Sequence, residues 1–218
     1  MITLSISNKS FREPNGCSKT IFRDLSLRLP EDVNSVAILG RSGSGKTTLL
    51  RILAGLDINY KGEYRLSEQA LMQNYSEMAK FRLENIGYIT QHFDLLSDRN
   101  VEQNIMLGIP KHIEKHEKVE ECLNLVGLSG FQKKKIRELS GGEAQRVAIA
   151  RSIAKNPMLL LADEPSGALD VETEENILDL FDQLKAQGIK MIIATHNNTV
   201  AKRCNIRLLL KDKKLISI

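Results

Sequence analysis

A glycine-rich segment of eight residues, GRSGSGKT at Gly40–Thr47, separates two stretches of different periodicity. The short apolar run Ser35–Leu39 before it predicts a buried strand, and Lys46–Ala54 after it has the spacing of a helix. Glycines allow backbone conformations that other residues avoid, so successive N–H groups of such a loop can turn inward around phosphate oxygens. The strand–loop–helix order therefore predicts an α/β fold that binds a nucleoside triphosphate.

Two side chains at the end of this loop have predicted roles. Lys46 supplies a positive charge to the β- and γ-phosphates, and Thr47 supplies a hydroxyl oxygen to Mg²⁺. The helix that begins at Lys46 points its positive end at the same anion. This motif alone does not distinguish kinases, GTPases and ATPases.

A second apolar run, Leu159–Ala162, ends in the adjacent acids Asp163 and Glu164. A surface turn is the default interpretation of one acid pair before a proline. With a phosphate loop in the same chain, the pair instead predicts a role at the carboxyl edge of a sheet, where ligands bind in open α/β folds. Asp163 can hold Mg²⁺, and Glu164 can polarise the water that attacks the γ-phosphate.

The remaining patterns indicate what surrounds this core. Alternating runs at Ile2–Ser7 and Ile21–Leu29 predict antiparallel strands, and Val101–Gly130 predicts helices. From Gly142 to Thr195 helical and apolar segments alternate, which indicates a mainly parallel sheet covered by helices.

The segment LSGGE, Leu139–Glu143, stands immediately before a predicted helix that carries Gln145, Arg146 and Arg151. It is interpretable as a simple serine-and-glycine helix start. It also has the parts of an anion site: a hydroxyl, exposed backbone N–H groups and a helix N-terminus. A second phosphate-binding surface on one chain makes sense if it caps a nucleotide that another copy holds.

Together these segments resemble the nucleotide-binding domain of ABC transporters, and the resemblance extends over nearly the whole chain. It implies that Gln91, after Ile86–Thr90, contacts Mg²⁺ and senses a membrane partner. It implies that Ser166–Asp170 crosses a dimer interface, that His196 contacts the γ-phosphate and that Phe11 stacks on adenine. Taken alone, Gln91 is a surface glutamine, His196 a strand-end histidine and Phe11 equally a core residue; their joint placement favours the family roles for the first two.

The chain departs from the family pattern at two positions, and two of its segments resemble one subgroup of the family. Residue 143 is Glu where the family commonly has Gln, and Asn197 follows the histidine where Asp is common; neither change removes a phosphate ligand. The long excursion Arg12–Thr20 and the segment Leu53–Asp57 resemble the ATPases of lipoprotein-releasing, macrolide-exporting, antimicrobial-peptide-resistance and bacteriocin-export systems. The transported substance is chosen mainly by the membrane partner and does not follow from these residues.

The site that the resemblance implies uses ATP and Mg²⁺ as cofactors. The expected catalytic residues are Lys46, Glu164 and His196. The expected Mg²⁺ ligands are Thr47, Gln91 and Asp163. The expected nucleotide-binding residues are Phe11, Gly40, Arg41, Ser42, Gly43, Ser44, Gly45, Lys46, Thr47, Thr48, Gln91, Ser140, Gly141, Gly142, Glu143 and Asp163.

The same resemblance implies one P-loop ATPase domain over residues 1–218. A catalytic core with an antiparallel β subdomain is expected at about 1–90 and 156–218, and an α-helical subdomain at about 91–155. The net charge of +4 is mild and has no concentrated basic stripe, so nucleic acid is not expected as a partner. No apolar run approaches the roughly 18 residues of a membrane helix, so any membrane function has to act through another polypeptide.

The expected partners are therefore a second copy, bound in an ATP-dependent dimer, and a separate transmembrane permease. The expected location is cytoplasmic, on the inner face of the cell membrane. One alternative is a non-transport ABC ATPase of cell division or cofactor assembly. A GTPase or small-molecule kinase is disfavoured because Asn8-Lys9 continues as Ser10-Phe11 rather than as a guanine-binding motif, and a purely structural subunit is disfavoured because Lys46 and Glu164 are both intact.

Overall fold

The computed structural model describes residues 1–14, 16–66, 69–165 and 171–218. These residues form two compact units, Met1–Arg82 with Ile192–Ile218, and Leu83–Met191. The elements in chain order are β1 (Ile2–Arg12), β2 (Ser18–Leu29), β3 (Ser35–Leu39), α1 (Lys46–Leu53), β4 (Lys61–Leu66), β5 (Gln69–Leu71), α2 (Tyr75–Asn85), β6 (Ile86–Ile89), α3 (Val101–Met106), α4 (Lys115–Leu125), a 3₁₀ turn (Ile136–Glu138), α5 (Gly141–Ile153), β7 (Leu159–Asp163), α6 (Val171–Ala186), β8 (Lys190–Thr195), α7 (Asn198–Lys202), β9 (Ile206–Lys211) and β10 (Lys214–Ser217).

The first unit begins with an antiparallel sheet in the order β2-β1-β4-β5. Ile2, Leu4 and Ile6 alternate into the core, as a half-buried strand requires. The pairing of β1 with β2 extends to Arg12↔Ser18, so part of the expected excursion is strand rather than loop. The register of β1 against β4 shifts between Ile6 and Asn8, which changes the face on which the following side chains lie.

The same unit contains strands of a second sheet, in the order β10-β9-β3-β8. All five residues of β3 are buried, as expected for a strand covered on both faces. β3 and β9 run parallel, whereas β9 and β10 form a hairpin that turns at Asp212 and Lys213. The predicted strand Ser35–Leu39 is confirmed residue for residue, and α1 follows it across the phosphate loop.

The second unit contains the parallel strands β6 and β7 and the helices α3 to α6. Helices were predicted between Val101 and Gly130 and from Gly142 onward, and α3, α4 and α5 each begin at a local start signal. Asn100 and Ser140 cap α3 and α5 with capping boxes, and Glu114 caps α4. The α/β prediction, with antiparallel and parallel strands, is confirmed. The helical subdomain at about 91–155 stays a prediction.

In the described part of the chain, none of the helices combines the length and the apolar character that spanning a membrane requires.

Candidate nucleotide-binding site

The phosphate loop in the first unit has the backbone that its sequence predicts. Gly43 and Gly45 have φ angles of 74° and 107°, in the left-handed region that favours glycine. A Cβ on Gly45 would also lie 2.8 Å from Ile21 Cγ2, so this position excludes other residues by space as well. Gly45 is the N-cap of α1 and, within the described residues, no side chain caps that helix. The first N–H groups of α1 therefore lie at the loop, next to a positive helix end.

Lys46 is the first residue of α1 and is only 8% exposed. Its Nζ donates a hydrogen bond of 2.9 Å to the carbonyl oxygen of Gly40, the first residue of the loop. The Lys46 ammonium therefore links the last part of the loop to its first residue. Arg41, Ser42, Gly43 and Thr47 are exposed, which leaves the rim of the loop accessible to a ligand.

Phe11 and His196, also in the first unit, lie on exposed positions. The Phe11 ring is 44% exposed, so the alternative that it is a core residue does not hold. His196 directly follows β8 and is exposed. Asn197 accepts a 2.7 Å hydrogen bond from the Thr199 N–H and caps α7. The departure from Asp at this position therefore keeps the cap, because either side chain offers the same oxygen.

The second unit holds the acid pair at the end of β7. Asp163 is the last residue of this buried strand and is 3% exposed, and Glu164 follows it half-buried. Glu164 has a φ angle of 49°, a left-handed conformation that is uncommon for a residue with a side chain. Such backbone strain concentrates at functional positions, where surrounding structure holds it in place. The segment Ser166–Asp170, expected at a dimer interface, lies outside the described residues.

The LSGGE segment in the second unit forms the start of α5. Ser140 is the N-cap: its Oγ accepts the Glu143 N–H at 3.2 Å, and its own N–H donates to Glu143 Oε2 at 2.7 Å. Because the hydroxyl oxygen acts as acceptor, the hydroxyl hydrogen stays available for an anion. A Cβ on Gly141 would meet no atom within 4 Å, whereas one on Gly142 would lie 2.4 Å from Thr173 Cγ2. The backbone at Gly141 is therefore accessible to a ligand. Gly142, which has no side chain, allows Thr173 of α6 to pack closely against the start of α5.

Glu143 has a structural reason for being an acid. The hydrogen bond from the Ser140 backbone is the largest influence that lowers the pKa of its carboxyl, and the helix N-terminus favours a negative charge in any case. Lys134 Nζ lies 3.7 Å from Glu143 Oε1 and partly balances that charge.

Gln91 is exposed and begins a loop, residues 91–96, that we call the Gln91 loop. Arg151 of α5 donates hydrogen bonds of 2.7 and 2.8 Å to the carbonyl oxygens of Phe93 and Asp94, both of which have positive φ angles. The Asn104 side chain of α3 donates to the Leu96 carbonyl at 3.1 Å and accepts the Leu96 N–H at 2.8 Å. Two helices therefore fix the conformation of this exposed loop.

The predicted residues thus fall into two groups. The first unit contains Phe11, the loop from Gly40 to Thr48 and His196, and the second unit contains Gln91, Ser140–Glu143 and the acid pair. Three contacts were not predicted: Arg151 and Asn104 with the Gln91 loop, and a buried lysine beside Phe11. No local signal pointed to the last, because alternation from Ile2, Leu4 and Ile6 assigns Lys9 to the opposite face of β1.

Comparisons with known proteins identify the family of this chain. Residues 22–167 match the family model described as ABC transporter. The MG065 proteins of Mycoplasma pneumoniae and Mycoplasma genitalium, ABC transporter ATP-binding proteins by name, are 37% and 40% identical over 91% and 84% of this chain. The chain spans only 43% and 40% of their lengths. The lipoprotein-releasing system ATP-binding protein LolD of Francisella tularensis is 43% identical over 89% of this chain and 87% of its own length.

Among solved structures, the dimeric bacterial ABC transporter cassette MJ0796 has a TM-score of 0.89 and 31% identity, over 99% of this chain and 96% of that one. The same cassette is known as a dimer in a post-hydrolysis state bound to ADP and Pi. The resemblance drawn from the sequence motifs is therefore confirmed. By family model, by relatives and by fold, this chain belongs to the ABC transporter family, as one of its ATP-binding cassettes.

Proposed function

We propose that the chain is the ATP-hydrolysing subunit of an ABC transporter and that it works as a dimer. One observation carries the proposal: the chain has two exposed helix starts built for anions, the phosphate loop at α1 and the Ser140 start of α5, in two different compact units. One triphosphate per chain needs only the first of these starts. A second is explained if it binds the nucleotide of another copy, and the MJ0796 cassette is indeed dimeric.

In this proposal the first unit binds most of the nucleotide. The backbone N–H groups from Gly40 to Thr48 surround the β- and γ-phosphates, and Lys46 exchanges its contact with Gly40 for the phosphate charge. The exposed ring of Phe11 stacks on adenine, since stacking requires only a π-face.

The proposed Mg²⁺ ligands suit that ion. Thr47, Gln91 and Asp163 offer a hydroxyl, an amide oxygen and a carboxylate, and Mg²⁺ prefers such oxygen donors. When bound, Mg²⁺ offsets the negative charge of the phosphates. Asp163 is held almost fully buried at the end of a buried strand, which limits its side-chain freedom.

Hydrolysis is proposed to depend on Glu164 and His196. Glu164 orients and deprotonates the attacking water. Its left-handed backbone breaks the alternation of β7, so its carboxylate need not follow the side-chain direction that the strand sets for Asp163. His196, exposed at the end of β8, stabilises the γ-phosphate. The Ser140 hydroxyl and the Gly142 N–H of the second copy bind that same phosphate, so its loss lets the dimer reopen.

The proposed membrane partner binds through the Gln91 loop. This loop is exposed yet held rigidly by Arg151 and Asn104, as a docking element that transmits force should be. The LolD relative is part of a lipoprotein-releasing system by name. We therefore propose an exporter of lipoprotein, peptide or drug, with the chain on the inner face of the membrane beside a separate permease.

The experiment uses Glu164→Gln, which keeps the size of the side chain but removes the base. Loss of a general base costs about 100-fold to 10,000-fold in rate, while ATP still binds. We expect the variant to elute from a size-exclusion column as a dimer with ATP and as a monomer with ADP. Wild type should give little stable dimer, because it hydrolyses the ATP that bridges the copies.

Glu120→Gln, an exposed change on α4, is the matched control and should behave as wild type. A Glu164→Gln variant that binds ATP but stays monomeric, also when the membrane partner is present, would contradict the dimer mechanism. A wild-type chain that neither binds nor hydrolyses ATP would contradict the proposed function altogether.

A further inference from the structure

A buried ammonium lies directly against the proposed adenine platform. Lys9 Nζ is positioned over the Phe11 ring, 4.5 Å from its centroid, and Lys9 is only 2% exposed. A cation within about 6 Å of a ring centroid is attracted by the π-electrons, and the attraction is stronger when the cation is shielded from water. One face of Phe11 is thus covered by a positive charge.

The ammonium is fixed from the other side by the segment that follows α1. Asp57 Oδ1 lies 2.6 Å from Lys9 Nζ, and the Asn59 carbonyl oxygen accepts a second hydrogen bond at 2.9 Å. Asp57 Oδ1 also accepts the Asn59 N–H at 3.1 Å, which orients the carboxylate. Burial of a lysine requires such compensation, so the position of the charge is well determined.

This arrangement connects the phosphate loop to the platform through one helix. α1 begins at Lys46 in the loop and ends in a turn at Gly55, which has a φ angle of 65°. The Arg82 guanidinium donates hydrogen bonds of 3.1 Å to the carbonyls of Ala54 and Gly55 and holds that turn. The turn presents Asp57 to Lys9.

We propose that Lys9, held by Asp57, is a positioning residue for the nucleotide base. The ammonium occupies one face of Phe11 and holds the ring in a single orientation, so the base stacks on the opposite face. By drawing π-electron density toward itself, it also reduces the repulsion between two stacked aromatic faces. The inference rests on the proposed function, because it assumes that the nucleotide of the phosphate loop reaches Phe11.

The test compares a ligand that has the base with one that lacks it. ADP and pyrophosphate, each with Mg²⁺, both occupy the phosphate loop, and neither is hydrolysed by this chain nor carries the phosphate that bridges two copies. Calorimetry measures the Kd of each for wild type and for Lys9→Met/Asp57→Asn. The double change removes both charges together, because Lys9→Met alone leaves a buried unpaired carboxylate that can prevent folding.

We expect the double change to weaken ADP binding about five-fold, as estimated from the strength of a shielded cation–π contact. The Kd of pyrophosphate should not change. Phe11→Ala should also weaken ADP binding, and adding the double change to Phe11→Ala should have no further effect, since the two act through one contact. Lys61→Met, an exposed lysine on the neighbouring strand β4, is the matched control.

Three results would overturn the inference while leaving the proposed ATPase intact. The first is an unchanged Kd of ADP in the double variant. The second is an equal loss for pyrophosphate, which indicates a general structural role, and the third is a full additional loss in the Phe11→Ala background. A wild-type chain that does not bind ADP or ATP would instead contradict the proposed function, and the inference about Lys9 with it.

Discussion

Glu143 combines a structural and an electrostatic role at the residue scale. Its carboxylate completes the capping box of α5 with Ser140 and is partly balanced by Lys134. If the Ser140 start of α5 binds a triphosphate held by a second copy, this acid also brings a negative charge near that anion. A glutamine could form the same backbone hydrogen bond without the charge.

We therefore predict two effects of Glu143→Gln. At pH 7 the variant should lose about 0.5 kcal/mol of unfolding free energy, since an acid at a helix N-terminus stabilises slightly more than an amide. In the Glu164→Gln background, it should strengthen the ATP-dependent dimer, because a like charge near the phosphates is removed. Urea unfolding and size-exclusion chromatography measure the two effects, and a weaker dimer would contradict the second.

The difference in unfolding free energy between wild type and Glu143→Gln should depend on pH with a definite sign. The pKa of Glu143 is lowered in the folded chain, so its contribution is present above the pKa of an unfolded glutamate and is lost as the pH falls through the folded value. The stability difference between wild type and Glu143→Gln should therefore disappear on acidification. A difference that grows toward low pH would contradict the assignment.

At the scale of elements, α5 joins two parts of the proposed mechanism. The helix begins at the Ser140 cap and carries Arg151 in its last turn, where the guanidinium holds the carbonyls of Phe93 and Asp94. Its 13 residues span about 20 Å at 1.5 Å per residue. A displacement of the Gln91 loop is therefore coupled to the helix whose start is proposed to bind the second copy's nucleotide.

Arg151→Met should release the Gln91 loop without unfolding α5. Two hydrogen bonds from a charged group are lost, each worth about 1.5 to 3 kcal/mol, so amide exchange in residues 93–96 should accelerate at least ten-fold. Hydrogen–deuterium exchange with mass spectrometry measures this. Arg137→Met, an exposed arginine on the 3₁₀ turn, serves as the control. Equal exchange in Arg151→Met and wild type would show that the contact does not hold the loop.

The accuracy of the sequence predictions also varies by element, for a physical reason. The strand Ser35–Leu39 was predicted residue for residue and the start of α5 to within one residue, because a buried apolar run and a serine-and-glycine helix start are local signals. The Lys9–Asp57 pair spans 48 residues, and the register shift in β1 moves Lys9 from the face that simple alternation assigns to it. Such contacts depend on tertiary packing, which no local pattern records.

At the scale of the whole molecule, the proposed dimer divides each site between two copies. Lys46→Ala removes the phosphate-loop charge from the site whose loop the variant copy supplies. Ser140→Arg instead blocks the α5 start that acts on the nucleotide of the other copy. Either variant alone should hydrolyse little ATP. A mixed dimer of the two has one site with both defects and one site with neither.

An equal mixture should therefore recover activity, up to about a quarter of the wild-type rate, because half of the dimers are mixed and each has one intact site. The ATPase rate of the mixture, against each variant alone at the same total concentration, measures the recovery. Mixed dimers that form, as shown by a tag on one variant, but hydrolyse no ATP would contradict the division of the site between copies.

The pairing of β3 with β9 has a consequence for how the chain is made. The Ser35 N–H, at the start of β3, donates a hydrogen bond to Asn205 Oδ1, 170 residues farther along the chain, and β9 follows immediately. At 5 to 20 residues per second, a ribosome needs about 10 to 30 s to synthesise that interval. During this time the strand that supports the phosphate loop lacks its neighbour. A nascent chain is therefore expected to acquire its nucleotide site only near the end of translation, and its apolar β3 segment is a natural target for chaperones until then.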